Sequence, residues 1–261
     1  MQISLNTSKW WQDAWAALIF FTRLPLWRIY QPPKDSYKAV VEYWPLAGWI
    51  TGGIMSATIY FGSSFFSPLT VIILAIAIRV LMTGALHEDG LADFVDGFGG
   101  GYNKEKTLQI MKDSHIGTYG VIALIFYFML LFCTLISLPC TISALLVLAA
   151  DPFCKMISAQ LTVMLPYARK EEESKAHVIY RKMSVIAGIR LFLLGITPAI
   201  PLVLYLHEHI SLEILLFIPC VVLYFLYMMM LRRLKGYTGD CCGAAFLITE
   251  LSIYIYVDVM L

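Results

Sequence analysis

Charge is what this chain has least of. Of its 261 residues 14% are charged, where an ordinary soluble domain carries about 25%. Neither sign dominates: 19 basic and 18 acidic residues leave a net charge of +1. That balance gives no electrostatic argument for a nucleic-acid partner. Metal-ligand spacing is missing from the six cysteines, Cys133, Cys140, Cys154, Cys220, Cys241 and Cys242. Four of them lie in apolar runs, where a cysteine is a small buried hydrophobe. Adjacent Cys241 and Cys242 are read as structural too. The first apolar run follows Asp13, contains Arg23 and Pro25, and has no small-residue cleavage site after it; it is not read as a removable leader. There is no internal repeat, no low-complexity tract and no polar stretch long enough for a separate soluble domain, so one unit over residues 1–261 is expected.

Hydrophobic residues, by contrast, make up 59% of the chain, above the roughly 45–50% of soluble domains. With a spanning helix needing about 20 apolar residues, the pattern predicts an all-α, polytopic membrane bundle of about seven to eight transmembrane helices. The candidate spans are 10–27, 41–61, 67–86, 118–138, 142–166, 185–206, 210–231 and 243–261. The first opens on Trp10, Trp11 and Trp15, residues that favour the headgroup level, and either spans or dips into the interface. Fourteen of the 19 basic residues fall in the connections 28–39, 99–117, 167–184 and 232–240. The alternating connections at 62–66, 139–141 and 207–209 hold no Lys or Arg, so the positive-inside rule turns the basic set to the cytoplasm. If all eight segments span, both termini lie outside; if the first only dips, the N-terminus moves inside.

Against this background residues 84–120 are unusual. They hold Glu88, Asp89, Asp93, Asp96, Glu105 and Asp113 and are the most glycine-dense part of the sequence. Asp89, Asp93 and Asp96 stand at i, i+4 and i+7, within about 60° of one face of a helix. Three carboxylates on one face repel one another unless a cation or protonation relieves them. Mg²⁺ fits, because it takes hard oxygen ligands and is shared between one or two carboxylates and substrate phosphates. A solvated acidic helix end would explain one such residue, but three in phase favour a site. Downstream, Lys112, Asp113, Ser114 and Thr118 bring charge and hydroxyls to the start of an apolar helix, where they either hold an anion or cap the helix. A second acidic position, Asp240, stands among Gly236, Gly239 and Gly243 after Arg232, Arg233 and Lys235. Glu250, Arg23, Glu42, Arg79, Asp151, Lys155 and Arg190 are ionisable residues in or beside apolar runs, each either functional or paired with another. His87 is most simply a packed residue, and His207 and His209 are given no role.

Six stretches together resemble the cobalamin synthase family, the adenosylcobinamide-GDP ribazoletransferases. They are FTRLP at 21–25, YWPLAG at 43–48, TGALHEDGLADFVDG at 83–97, IMKDSHIGTYG at 110–120, YAR at 167–169 and GYTGDCCGA at 236–244. The resemblance implies a Mg²⁺-dependent enzyme of the bacterial cytoplasmic membrane that joins adenosylcobinamide-GDP to α-ribazole, or its 5′-phosphate, and releases GMP. Its partners would be these small molecules and the lipid bilayer; it leaves open a homo-oligomer or association with other enzymes of the corrinoid pathway. By the family pattern Asp89, Asp93 and Asp96 carry over as metal-binding and catalytic, with Asp113 and Asp240 as further catalytic matches. Arg23, His87, Lys112, Ser114, Thr118, Lys155, Arg169, Thr238 and Glu250 are expected at the substrate. The 5′ oxygen of the acceptor, as hydroxyl or phosphate, is expected to attack the cobinamide-linked phosphorus. The chain departs from the pattern in having Lys155 in place of Arg, His115 in place of Arg, KEEES at 170–174 in place of a GLG-like run, and Leu247 near where a glutamate is common. Arg and Lys are not equivalent at a bidentate contact. A membrane cation transporter is the rival reading. CDP-alcohol phosphotransferases offer an analogous acidic set for related chemistry, which does not establish a shared fold.

Overall fold

The computed structural model describes residues 9–169 and 180–261; the KEEES departure at 170–174 and basic residues Lys170 and Lys175 lie outside them. Twelve helices follow in order: α1 (Trp10–Phe21), α2 (Trp44–Gly62), α3 (Pro68–Thr83), α4 (Leu86–Gly100), α5 (Lys104–Ile110), α6 (Thr118–Ser137), α7 (Cys140–Ala159), α8 (Leu161–Met164), α9 (Val185–Ile196), α10 (Ile200–Leu206), α11 (Leu212–Arg233) and α12 (Gly239–Met260). A run of 3₁₀ helix, Lys34–Tyr43, joins the first two. Among the described residues there is no strand, and the one β-bridge pairs Tyr167 with Tyr237.

Among the described residues five segments are long and apolar enough to cross a membrane: α6, Cys140–Met164, Val185–Leu206, α11 and α12. A sixth counts if α3 and α4, bent by 86° to one another, are one broken span. The expected multi-pass helical bundle is therefore found, with fewer qualifying spans than the seven or eight read from apolar runs. The reasons are local. At twelve residues α1 rises only about 18 Å, short of the roughly 30 Å hydrocarbon core. Helix α2 has the length, but tryptophans and glycines dilute its apolar character.

The break between α3 and α4 decides where the acidic residues go. Gly84 takes φ 64° and Ala85 φ 57°, a left-handed pair that stops α3 and re-aims the chain. Glycine suits the first position on two counts: its φ is positive, and a Cβ there would collide with the side chain of Arg23. Helix α12 lies at the centre, packed on α4, α6, α7 and α11, while α2 runs along α7. Where α4 crosses α12 the backbones nearly touch. A Cβ on Gly90 would stand 3.1 Å from the Asp240 carbonyl oxygen, and one on Gly243 would stand 3.4 Å from His87. Small residues permit this approach, and it brings both acidic motifs to the same helix crossing.

Arg79, Glu250, Asp151, Lys155 and Glu42 are held in ion pairs. Arg79 Nη1 donates to both Glu250 oxygens at 2.8 and 2.7 Å, and its other nitrogen donates to the Tyr127 hydroxyl. Lys155 is bonded to Asp151 one turn back and to Thr51 at 3.0 Å, with its ammonium over the Phe246 ring. Glu42 receives Arg181 at 2.5 and 2.8 Å and faces Arg190 at 3.5 Å.

Candidate active site

All three aspartates of the acidic motif lie on α4, as their spacing predicts, but they do not do the same thing. Asp89 and Asp93 line one cavity of ≈ 230 Å³ together with Lys112, Asp113 and Ser114. Asp96 is 8% exposed and turns to α6 instead. One of its oxygens accepts the Gly117 amide at 2.7 Å and the other the Gly120 amide at 2.9 Å. It is thus a buried anion closing the N-terminus of α6, where free amides and the helix dipole favour negative charge. Any side chain at Gly117 or Gly120 would strike that carboxylate, which accounts for the glycines of the HIGTYG stretch.

No three of His, Cys, Asp and Glu come together in a metal-binding cluster among the described residues. The donors present still fit Mg²⁺ of the substrate-shared kind: Asp89 and Asp93 are hard carboxylate ligands in one cavity, and a bound diphosphate would complete the shell. They do not fit a cation held by three protein carboxylates.

Asp113 accepts the His115 amide at 3.0 Å and faces its ring at 2.8 Å. The amide first, and the ring second, hold its carboxyl below the ordinary value, which makes it a poor proton acceptor. Lys112, Ser114 and Thr118 are exposed beside it.

A second cavity of ≈ 130 Å³ adjoins the first and shares Asp89 with it. Arg169 and Asp240 also line it. They are brought there by a short main-chain clasp in which Ala168 donates to the Tyr237 carbonyl at 2.8 Å and Tyr237 to the Pro166 carbonyl at 2.9 Å. Arg169 Nη2 then stands 3.9 Å from Asp240 and donates to the Leu108 carbonyl at 3.3 Å. The Arg169 side chain is 3% exposed, and its Nε is buried with no hydrogen-bond partner among the described residues. Arg169 thus puts a guanidinium at the cavity, a group suited to an anionic ligand. Thr238 caps α12 by accepting the Cys241 amide at 3.3 Å.

The other expected substrate contacts are placed differently. Lys155 and Glu250 are 1% and 0% exposed, held in the ion pairs described above, and line neither cavity. Arg23 is exposed and packs over Gly84. His87 lines the second cavity and accepts the Trp44 indole N–H on Nε2 at 3.3 Å, so its own proton is on Nδ1.

Sequence reading assigned no role to Phe21, Trp44, Tyr167 and Tyr180, all on the wall of the second cavity. The first three fall within quoted motif stretches, which was the available signal; Tyr180 had none. It is set in place by its neighbour Arg181, whose side chain bonds Glu42 and also Asp13 at 3.1 Å and whose amide donates to the Lys38 carbonyl at 2.8 Å.

Fold and site together define a multi-pass membrane helix bundle whose acidic and cationic side chains meet at the crossing of two helices. The sequence profile of the cobalamin-5-phosphate synthase family matches residues 13–257, and the chain belongs to that family. An adenosylcobinamide-GDP ribazoletransferase of Leptospira interrogans is 34% identical over 255 residues, 95% of this chain and 96% of that protein. Proteins of the same description from Pseudoalteromonas atlantica and Shewanella baltica are 36% and 33% identical, covering 94% and 91% of this chain and 90% of each relative. No solved structure matches the chain.

Proposed function

We propose that this protein transfers the cobinamide phosphate of adenosylcobinamide-GDP to α-ribazole or its 5′-phosphate, releasing GMP, with Mg²⁺ as cofactor. The observation that carries this reading is that Asp89 and Asp93, one helical turn apart, face a single cavity with Lys112 and Ser114. Phosphoryl transfer asks mainly for positioning and charge stabilisation, and that is what this set offers. Asp89 and Asp93 would hold the metal, which when bound supplies charge neutralisation on the diphosphate.

In the reaction an acceptor hydroxyl oxygen bonds to the cobinamide-linked phosphorus. The phosphoanhydride P–O bond breaks, and its electron pair leaves with GMP. The hydroxyl proton passes to a carboxylate of the site. The family description is a synthase of a 5-phosphate. A 5′ phosphate that survives into product cannot be the nucleophile, so we assign attack to a different ribose hydroxyl and replace the 5′ oxygen expected from the sequence. Lys112 and Arg169 are the cations placed to neutralise phosphate. Lys155 supports α7 and α2 from within.

The bacterial cytoplasmic membrane, with the acidic residues on its inner side, is the matching location. Basic residues crowd the described connections 28–39, 99–117 and 232–240, and a nucleotide-activated substrate is a cytoplasmic one. The test is GMP release by detergent-purified protein given adenosylcobinamide-GDP, α-ribazole and Mg²⁺. Release that stops on chelation supports the proposal; ion flux in liposomes without product would replace it with transport.

A further inference from the structure

We propose that the ≈ 130 Å³ cavity is the pocket for the planar base of the acceptor nucleoside, as distinct from the guanine or the corrin of the donor. The assignment rests on the transferase reading above and adds to it which part of which substrate lies where. The walls come first. Phe21, Trp44 and His87 are three near-parallel rings grouped in a triangle: their centroids lie 5.2 Å (Phe21–Trp44), 5.8 Å (Trp44–His87) and 6.3 Å (Phe21–His87) apart, with planes within 20° of one another. Phe20, Val41 and Leu86 add apolar surface. Such a wall takes a flat aromatic ring.

Size excludes the corrin, because the cavity lies below the roughly 300–1,000 Å³ of pockets that enclose drug-sized ligands. It suits one bicyclic ring. Polarity then separates the two heterocycles. Guanine presents donors and acceptors around most of its edge, and burying them without partners is costly. The ring-bearing wall offers little in return, because the Trp44 indole N–H is already committed to His87; the charged residues of the same cavity, Asp89, Arg169 and Asp240, are assigned to the sugar and phosphate and not to the base. A benzimidazole-type base has an almost wholly apolar edge and leaves nothing unsatisfied. Position completes the argument. Asp89 is common to this cavity and the polar one, so a base seated here presents its sugar at the wall where the diphosphate would lie. Arg169 lines the same space and offers its guanidinium to an acceptor phosphate.

The test narrows and widens the pocket at Val41, a buried residue of its wall. Val41→Phe and Val41→Ala are purified in detergent alongside the unaltered protein, and KM is measured for each substrate by GMP release. Binding of α-ribazole alone is followed by calorimetry. For Val41→Phe the KM for α-ribazole should rise about tenfold or more, the scale on which pocket volume discriminates, with the KM for adenosylcobinamide-GDP unchanged. Val41→Ala should gain activity with a ribazole analogue bearing a larger, tricyclic base, and this arm stands even where the phenylalanine variant does not fold. A raised donor KM with an unchanged acceptor KM would put guanine in the cavity and overturn the proposal, as would two variants that shift neither KM. Unaltered protein that binds α-ribazole but releases no GMP would sink the transferase reading while leaving the pocket assignment standing.

Discussion

Replacing Asp96 with asparagine separates two roles that its position in the acidic motif would otherwise merge. Its two oxygens hold the Gly117 and Gly120 amides at the start of α6. Asparagine keeps one acceptor oxygen, loses the charge, and turns an NH₂ group toward the other amide. Hydrogen bonds to a charged group contribute about 1.5–3 kcal/mol each, and a partly buried charge at a helix end adds up to about 2 kcal/mol. A loss of about 2–4 kcal/mol follows from breaking one such bond and removing that charge. At about 2–4 °C per kcal/mol for a chain of this size, Tm should drop by about 5–15 °C. Asp89→Asn is the matched control. Asp89 is exposed, and a substitution at such a position shifts stability by about 0.5 kcal/mol or less. The assay is thermal unfolding of both variants in detergent, read beside GMP release titrated with Mg²⁺. Asp96→Asn should be less stable yet saturate at an unchanged Mg²⁺ concentration. An Asp96→Asn protein with unaltered Tm and a lost or strongly shifted Mg²⁺ response would refute the capping role and restore Asp96 as a ligand.

Asp89→Asn and Asp93→Asn should each lower kcat by about 10²–10³ or more, the scale on which one preorganised charge-stabilising group acts; GMP release from protein of normal yield and Tm checks this. Glu250→Ala should cost about 3–5 kcal/mol, the usual result of stripping one partner from a buried ion pair, and Arg79→Met with Glu250→Met should recover much of it; detergent-resistant folded yield and Tm report both. Asp113 has its folded pKa depressed by the His115 contacts, so its stabilising contribution is present above the unfolded value and lost as pH falls through the folded one. The Tm deficit of Asp113→Asn should accordingly be present at pH 5 and shrink below about pH 4.

What could be read in the sequence were features with a period or a local partner. The i, i+4, i+7 spacing placed the aspartates on one helix, and α4 carries all three. Lys155 and Asp151, four apart, were an i, i+4 pair open to recognition from spacing alone. Arg79 and Glu250, 171 positions apart, were not, because only the folding of the whole bundle brings the two side chains together. The same limit applies to Asp96: periodicity fixes its helix face, but which amides wait there depends on where α6 begins in space. Apolar runs showed the bundle but could not show that residues 84 and 85 adopt positive φ and cut one run into two helices at a right angle. The aromatic cavity draws Phe21, Trp44, His87, Tyr167 and Gly243 from five separate motif stretches; the motifs marked the residues, but no spacing along the chain shows that they converge.

The Arg79–Glu250 pair has a consequence for biogenesis. As helices enter the bilayer in order of synthesis, the guanidinium of α3 arrives long before the carboxylate that neutralises it, and an uncompensated arginine at mid-helix costs about 2.5–3.5 kcal/mol on insertion scales. The early helices therefore stay provisional until α12 has been made. A nascent polypeptide lacking α12 would carry a stranded cation, a mark by which quality-control proteases would tell it from the folded bundle.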